Sequence, residues 1–317
     1  MTTVTQPIPA RARVEEAHEQ AIQKSVRRVR AQRHFAYWLC APAVIVMLAV
    51  TAYPMIYSIY LSFRRYDLRF PAQAKFIGFS NYGTVLSSNL WWRSVWNTVF
   101  ITVVSVAIEF IIGMALALVM HRAIFARGAV RTSILIPYGI ITVVAAISWQ
   151  YAWTPHTGWI NRYIIGNDSA PLTHHWSSLF VIIISEVWKT TPFMALLLLA
   201  GLVLVPEDLM EAAKVDGANA WQRFIRVMLP IMKPAILVAV LFRTLDAFRV
   251  FDNIFILTNG ANNTSSVSIL GYKQLFVGLN LGVGGAISVL MFLMVAIIAF
   301  IFVKGFGTAA PGSSREA

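Results

Sequence analysis

The 317-residue sequence is poor in charge and nearly without cysteine: only 13% of its residues are Asp, Glu, Lys or Arg, and Cys40 is its one thiol. A soluble domain carries about 25% charged residues, so the shortage argues against a chain folded wholly in water. One cysteine excludes an intrachain disulfide. Bulky Leu39 before it is wrong for a lipid-modified cysteine, and Cys40 reads as packing. The pattern G-x-x-x-x-G-K-S/T is absent, so the chain has no nucleotide site of that kind. The glycine-rich stretch from Gly278 to Gly285 lacks a Lys and reads as a loop-to-helix turn. His18, His34, His121, His156, His174 and His175 show no intramembrane metal spacing, and no nucleophile–base pair stands out. Metal chemistry and intramembrane hydrolysis are both disfavoured.

What is present is apolar. Hydrophobic residues make up 58% of the chain and the mean hydropathy is +0.66. Six runs, at about 35–63, 94–120, 132–153, 177–203, 235–257 and 283–303, approach or exceed the ~20 residues that cross a bilayer core. The expectation is an all-α integral membrane protein with six transmembrane helices. Pro137 and Pro192 interrupt the helical hydrogen-bond ladder inside two of them. Residues 1–33 are polar and basic and suit a surface helix or a disordered tail equally. The segment from Thr258 to Gly282 reads as loop, its Asn and Ser residues as solvation. No repeat of solenoid period is visible.

The net charge of +12 matters less than its distribution. Of the 26 Lys and Arg residues, 16 lie in the N-terminal tail, the turn near Arg127, the stretch after Val203 and the C-terminal tail. Seven lie in the opposite loops, and Lys189, Arg243 and Arg249 lie within spans. That excess puts both termini in the cytoplasm.

Charged groups inside spans cost about 2.5–3.5 kcal/mol on insertion scales and so mark a pathway or a partner. Glu186, Thr190 and Phe193 share one helical face, and Glu186 and Lys189, three residues apart, can pair with each other. Arg243, Asp246, Arg249 and Asp252 can likewise form a self-satisfying ion ladder. Glu109 suits an interhelical hydrogen bond.

The long polar interruption from Pro206 to Pro234 reads as helix, tight turn and second helix. Pro206, Glu207 and Asp208 favour a helix start, and Gly217 a stop in left-handed geometry. Asn219 caps the second helix, which Pro230 and Pro234 end. Glu211-Ala212-Ala213, Asp216-Gly217-Ala218, Phe224, Leu229-Pro230 and Pro234 resemble the EAA loop of permease subunits in binding-protein-dependent ABC importers. Val227 stands where that family more often has Ile. Leu135–Gly139, Glu186–Met194 and Leu245–Asp252 resemble the carbohydrate-uptake branch, its trehalose importers above all.

The resemblance implies an ABC importer type I permease fold with a cytoplasmic coupling helix. The chain would divide into a tail (1–33), a first transmembrane helix with its external loop (34–93), a permease domain (94–304, with the EAA loop at 206–234) and a tail (305–317). Glu211, Ala212, Ala213, Asp216, Gly217, Ala218, Leu229 and Pro230 would couple to the ATPase. Glu186, Thr190, Phe193, Arg243, Asp246 and Ala247 would meet the sugar, a disaccharide such as trehalose. The implied partners are a second permease subunit, two copies of a cytoplasmic ATPase and an external sugar-binding lipoprotein, with no nucleic acid. The chain would perform no chemistry and bind no cofactor; ATP and Mg would be used by the partner ATPase. From the residues alone three alternatives stay open: a proton-coupled secondary transporter using Glu109, Glu186 and Asp246, an intramembrane enzyme, and a merely solvated amphipathic loop after Val203.

Overall fold

The computed structural model describes residues 37–122, 127–166 and 168–306, so the N-terminal tail and most of the C-terminal tail lie outside the described residues. The chain divides into two units, Met1–Tyr57 and Ser58–Ala317. The first holds most of α1, Tyr37–Ser62. In it Tyr53 and Tyr57 stack with ring centroids 6.1 Å apart, and Cys40 is exposed rather than packed.

The second unit carries the rest of the helices: α2 (Ser80–Leu86), α3 (Asn89–Arg122), α4 (Arg127–Gly139), α5 (Thr142–Ala152), α6 (His175–Val203), α7 (Glu207–Val215), α8 (Ala220–Arg223), α9 (Leu229–Ala247), α10 (Asp252–Leu257), α11 (Val267–Tyr272) and α12 (Leu281–Phe306). Among the described residues five helical stretches are long and apolar enough to cross a bilayer, and the bent pair α4–α5 makes a sixth.

That sixth span, expected as a single run at about 132–153 with its ladder interrupted at Pro137, is two helices. Its halves meet at 83°. Pro137, which has no N–H to give, sits one turn before the break, and Ile141 is extended (ψ 131°) ahead of α5. The second departure is at Pro230 and Pro234, which do not end the helix. A π turn over Phe224–Met228 joins α8 to α9, with the Leu229 N–H bonded to the Phe224 carbonyl five residues back. The wider turn absorbs the proline ring that a regular ladder would press against the carbonyl four residues back.

The third departure is the segment after Thr258. It contains α11 and a π turn, Lys273–Val277, and Thr258, Thr264, Ser265 and Ser266 are buried, while Asn259, Asn262 and Asn263 are exposed as expected. Asn97 on α3 donates to the Asn263 and Ser265 carbonyls at 2.6 and 3.0 Å. The Val267 N–H meets Thr98 Oγ1 at 3.0 Å, and Thr258 and Thr264 hydroxyls lie 2.7 Å apart. These groups satisfy one another where water is excluded.

The core is built on α3 against α6, the most extensive helix pairing in the unit. A Cβ on Gly113 would stand 2.9 Å from Met194 Cγ, so only glycine lets these two helices approach this closely. Toward one end Ile101, Leu179, Ile182 and Ile254 pack together. Toward the other, Met114, Met194, Leu198 and Met232 do so. The loop before α2 carries a small hairpin, β1 (Arg64–Arg65) with β2 (Lys75–Phe76). In the same loop the Arg69 side chain and then its backbone N–H bond the Asp67 carboxylate, holding its pKa down at about 2.

Candidate functional site

One turn of α6, from Glu186 to Thr190, gathers groups from four other helices. Arg243 of α9 is fully buried (0% exposed) and forms its centre. Its Nε and Nη2 hold the two carboxylate oxygens of Glu109, on α3, at 2.5 and 3.0 Å. Nη2 also reaches Glu186 Oε1 at 2.8 Å and Thr190 Oγ1 at 2.9 Å. Nη1 donates to Asp246 Oδ2 at 2.7 Å. The Thr190 hydroxyl donates to Glu109 Oε1, and Asn253 of α10 donates through Nδ2 to Glu186 Oε2. Three carboxylates thus converge on one guanidinium, whose planar fork suits such multidentate pairing.

The neighbouring Lys189 does not pair with Glu186. Its Nζ donates to the Ile140 carbonyl at 2.8 Å. That carbonyl is freed by the α4–α5 break, so a buried ammonium satisfies an otherwise orphaned acceptor. The same Nζ stands 5.8 Å from the centre of the Tyr138 ring. Of the anticipated ion ladder along α9 only the first rung forms. Asp246 pairs with Arg243, whereas Arg249 Nε turns back to the Leu245 carbonyl at 3.2 Å.

Beside this network lies a cavity of about 450 Å³ whose wall includes Glu186, Thr190 and Asp246. Of the other three anticipated pocket residues, none lines it. Arg243 is enclosed by its partners, and Ala247 is 1% exposed within the apolar core. Phe193 stacks on Tyr138, centroids 5.4 Å apart, and it is the tyrosine that faces the cavity. Tyr138, Lys189, Arg249, Asp252 and Asn253 also form part of the wall and were missed as site residues. Tyr138 lies inside one of the phrases already singled out and Asn253 directly after another, so adjacency was the available signal. The wall offers carboxylates, amide and guanidinium groups beside an aromatic ring. This is chemistry for holding a polyhydroxyl molecule, and among the described residues no three His, Cys, Asp or Glu side chains are grouped to hold a metal.

α6 runs from this cavity directly into the polar stretch. α7 stops in a Schellman motif: the Ala218 N–H bonds the Ala213 carbonyl at 2.9 Å and the Gly217 N–H the Lys214 carbonyl at 3.1 Å. Gly217 has φ +81°, left-handed geometry that glycine adopts without strain. α8 then opens with a reciprocal capping box between Asn219 and Gln222, both bonds 2.8 Å. Glu211, Ala212, Asp216 and Gly217 are exposed on this turn, while Ala213, Ala218 and Leu229 are half-buried and Pro230 is exposed in the first turn of α9. Val215 and Trp221, at 87% and 67% exposure, leave apolar surface uncovered there.

A polytopic helical chain with a polar cavity among its spans and an exposed, rigidly turned loop is a membrane transport component. Residues 82–308 match the family described as binding-protein-dependent transport system inner membrane component, and the chain belongs to it. It is 61% identical over 282 residues to the trehalose transport system permease protein SugA of Mycobacterium tuberculosis, covering 89% of this chain and 92% of that protein. It is 38% identical over 275 residues to the trehalose/maltose transport system permease protein MalF of Thermococcus litoralis, covering 84% and 92%. Its fold is also that of a chain in the crystal structure of a bacterial ABC transporter involved in import of the acidic polysaccharide alginate. The TM-score is 0.77 and the identity 24%, over 92% of this chain and 99% of that one. The protein is therefore a multi-pass ABC importer permease of type I fold and not an enzyme. This displaces the proton-coupled and intramembrane-enzyme readings.

Proposed function

We propose that this chain forms half of the translocation path of an ATP-driven importer for a disaccharide such as trehalose. The observation that carries the reading is the continuity of α6: its Glu186–Thr190 turn walls the polar cavity, and its C-terminal end leads straight into the α7–α8 turn. The likeness to SugA supports trehalose as the substrate.

In this reading Glu186, Thr190 and Asp246 accept and donate hydrogen bonds to sugar hydroxyls from the cavity wall. Arg243, Phe193 and Ala247 support that wall from behind. The turn carrying Glu211, Ala212, Ala213, Asp216, Gly217 and Ala218, braced by Leu229 and Pro230, docks on a cytoplasmic ATPase subunit. Two copies of that subunit, using ATP and Mg, would serve this chain and a second permease subunit, and an external sugar-binding lipoprotein would deliver the substrate. Both termini would lie in the cytoplasm of a bacterial cell, and this chain itself would bind no cofactor.

Reconstitution tests the reading. The assembled transporter in vesicles should accumulate trehalose only with ATP on the side of the Gly217 turn. A cysteine introduced at Asn219 should be labelled from that side alone and one at Asn262 from the other. Uptake without ATP, or the reverse labelling, would overturn the proposal.

A further inference from the structure

A second, longer feature lies on the flank of the α3–α6 pair and takes no part in the cavity network. One stripe of α3, spaced by threes and fours, runs Asn89, Arg93, Trp96, Phe100, Val104, Ile108 and Ile112. From Phe100 onward this stripe and the facing stripe of α6 enclose an apolar groove of about 420 Å³. Its floor is buried Leu179, Ile183 and Val187, and its rims are exposed Ile108, Trp176 and Phe180. Next along α3, at the His175 end of α6, lies a separate polar cleft of about 670 Å³ edged by Asn89, Trp92, Arg93 and Trp96. The two are joined by an aromatic bridge: Trp96 stacks on Phe100 at 6.3 Å, and Phe100 meets Trp176 edge-on at 5.8 Å.

We propose that this amphipathic groove holds an anionic phospholipid of the leaflet at the His175 end of α6, opposite the Gly217 turn. The occupant follows from length and charge together. Phe100 to Ile112 spans about 18 Å at the helical rise, against about 15 Å for the hydrocarbon of one leaflet. The groove is thus one acyl chain deep and stops near the bilayer midplane. Exposed Trp92, Trp96 and Trp176 collect at its mouth, where interfacial tryptophans mark the headgroup level. Arg93 lies at that level and meets no carboxylate among the described residues; its Nη1 reaches only the neutral Asn263 Oδ1, at 3.4 Å. An exposed guanidinium beside the Asn89 amide presents donors to a phosphate, while an uncharged ligand would leave the cation unanswered. A protein helix would fill the apolar groove equally well but gives no reason for Arg93.

The test uses the whole transporter in nanodiscs containing phosphatidylglycerol with a photoactivatable diazirine in its acyl chain. Crosslinks should map to residues 100–112 and 176–187. Arg93→Gln should lower their yield roughly fivefold, the effect of one basic side chain at a charged lipid surface, and Val104→Trp, which fills the groove, should move them elsewhere. Arg162→Gln, which removes an exposed cation stacked on Tyr163 away from the groove, should leave the yield unchanged. Three results would each overturn the proposal: no crosslinks in those segments, crosslinks indifferent to both Arg93→Gln and Val104→Trp, or crosslinks that appear only after the partner subunits are stripped away. The last would assign the groove to a neighbouring protein helix.

Discussion

Asp246 and Glu109 both bond the same guanidinium, yet their removal should have opposite consequences. The Asp246 side chain is 63% exposed to the cavity, whereas Glu109 and Arg243 are both at 0%. Asp246→Asn leaves Arg243 with both oxygens of Glu109 and one of Glu186. With its carboxylate open to solvent and the buried guanidinium still answered by Glu109 and Glu186, the pair contributes nearer the roughly 0–1 kcal/mol of an exposed bridge, so the complex should assemble in normal yield. What Asp246→Asn should lose is a charge-assisted bond to a sugar hydroxyl, worth roughly 1.5–3 kcal/mol, which raises the sugar concentration for half-maximal ATPase stimulation tenfold or more. Glu109→Ala, by contrast, strips the buried side of the guanidinium. Breaking a buried pair in this way costs about 3–5 kcal/mol, and yield should collapse. Because that cost comes from an uncompensated charge, combining Glu109→Ala with Arg243→Met should be less damaging than the two single effects added together. The assay is purified-complex yield beside ATPase activity over a range of trehalose concentrations. A yield for Asp246→Asn as low as that for Glu109→Ala would refute the reasoning, since it would make the cavity-facing carboxylate as structural as the enclosed one.

Gly217→Val should insert normally but abolish uptake, because a β-branched residue at φ +81° is strained by more than the roughly 1–2 kcal/mol typical of left-handed geometry; Gly217→Asn should retain most transport, and equal activity of the two variants would refute the turn's role. Lys189→Met should leave the Ile140 carbonyl without its donor and lower stability by about 1–3 kcal/mol, read as a fall in the melting temperature of the detergent-solubilised complex, whereas Lys189→Arg should largely restore it. The Asp67 carboxyl titrates at about 2 in the folded chain, below its usual 3.8. A lowered carboxylate pKa stabilises fully above the unfolded value and is lost as pH falls through the folded one. Hydrogen-exchange protection of the Arg69 amide should therefore hold at pH 4 and decline toward pH 2, and Asp67→Asn should remove that dependence.

Local chemistry let the sequence determine part of this structure. The Gly217 stop and the Asn219 cap depend on residues within five positions of each other, and both formed where the residue types demanded. The apolar runs likewise announced spans, because a bilayer requires each segment to satisfy its own backbone. Tertiary structure alone decided where the intramembrane charges went. Lys189 was within reach of Glu186 along its own helix, but bonds a carbonyl that exists as a free acceptor only because α4 breaks from α5. Asp246 on its own helix answers only one donor group of Arg243, and Glu109, 134 positions away, takes two others. Pro230 and Pro234 read as terminators until a π turn admitted them. Ser265 and Ser266 after Thr258 read as solvation until α3 was placed beside them, whereas Asn259, Asn262 and Asn263 remain exposed, as the sequence suggested. In each case the deciding partner is distant in the chain, and burial makes its presence obligatory, since a buried charge or carbonyl must find a partner wherever the packed helices supply one.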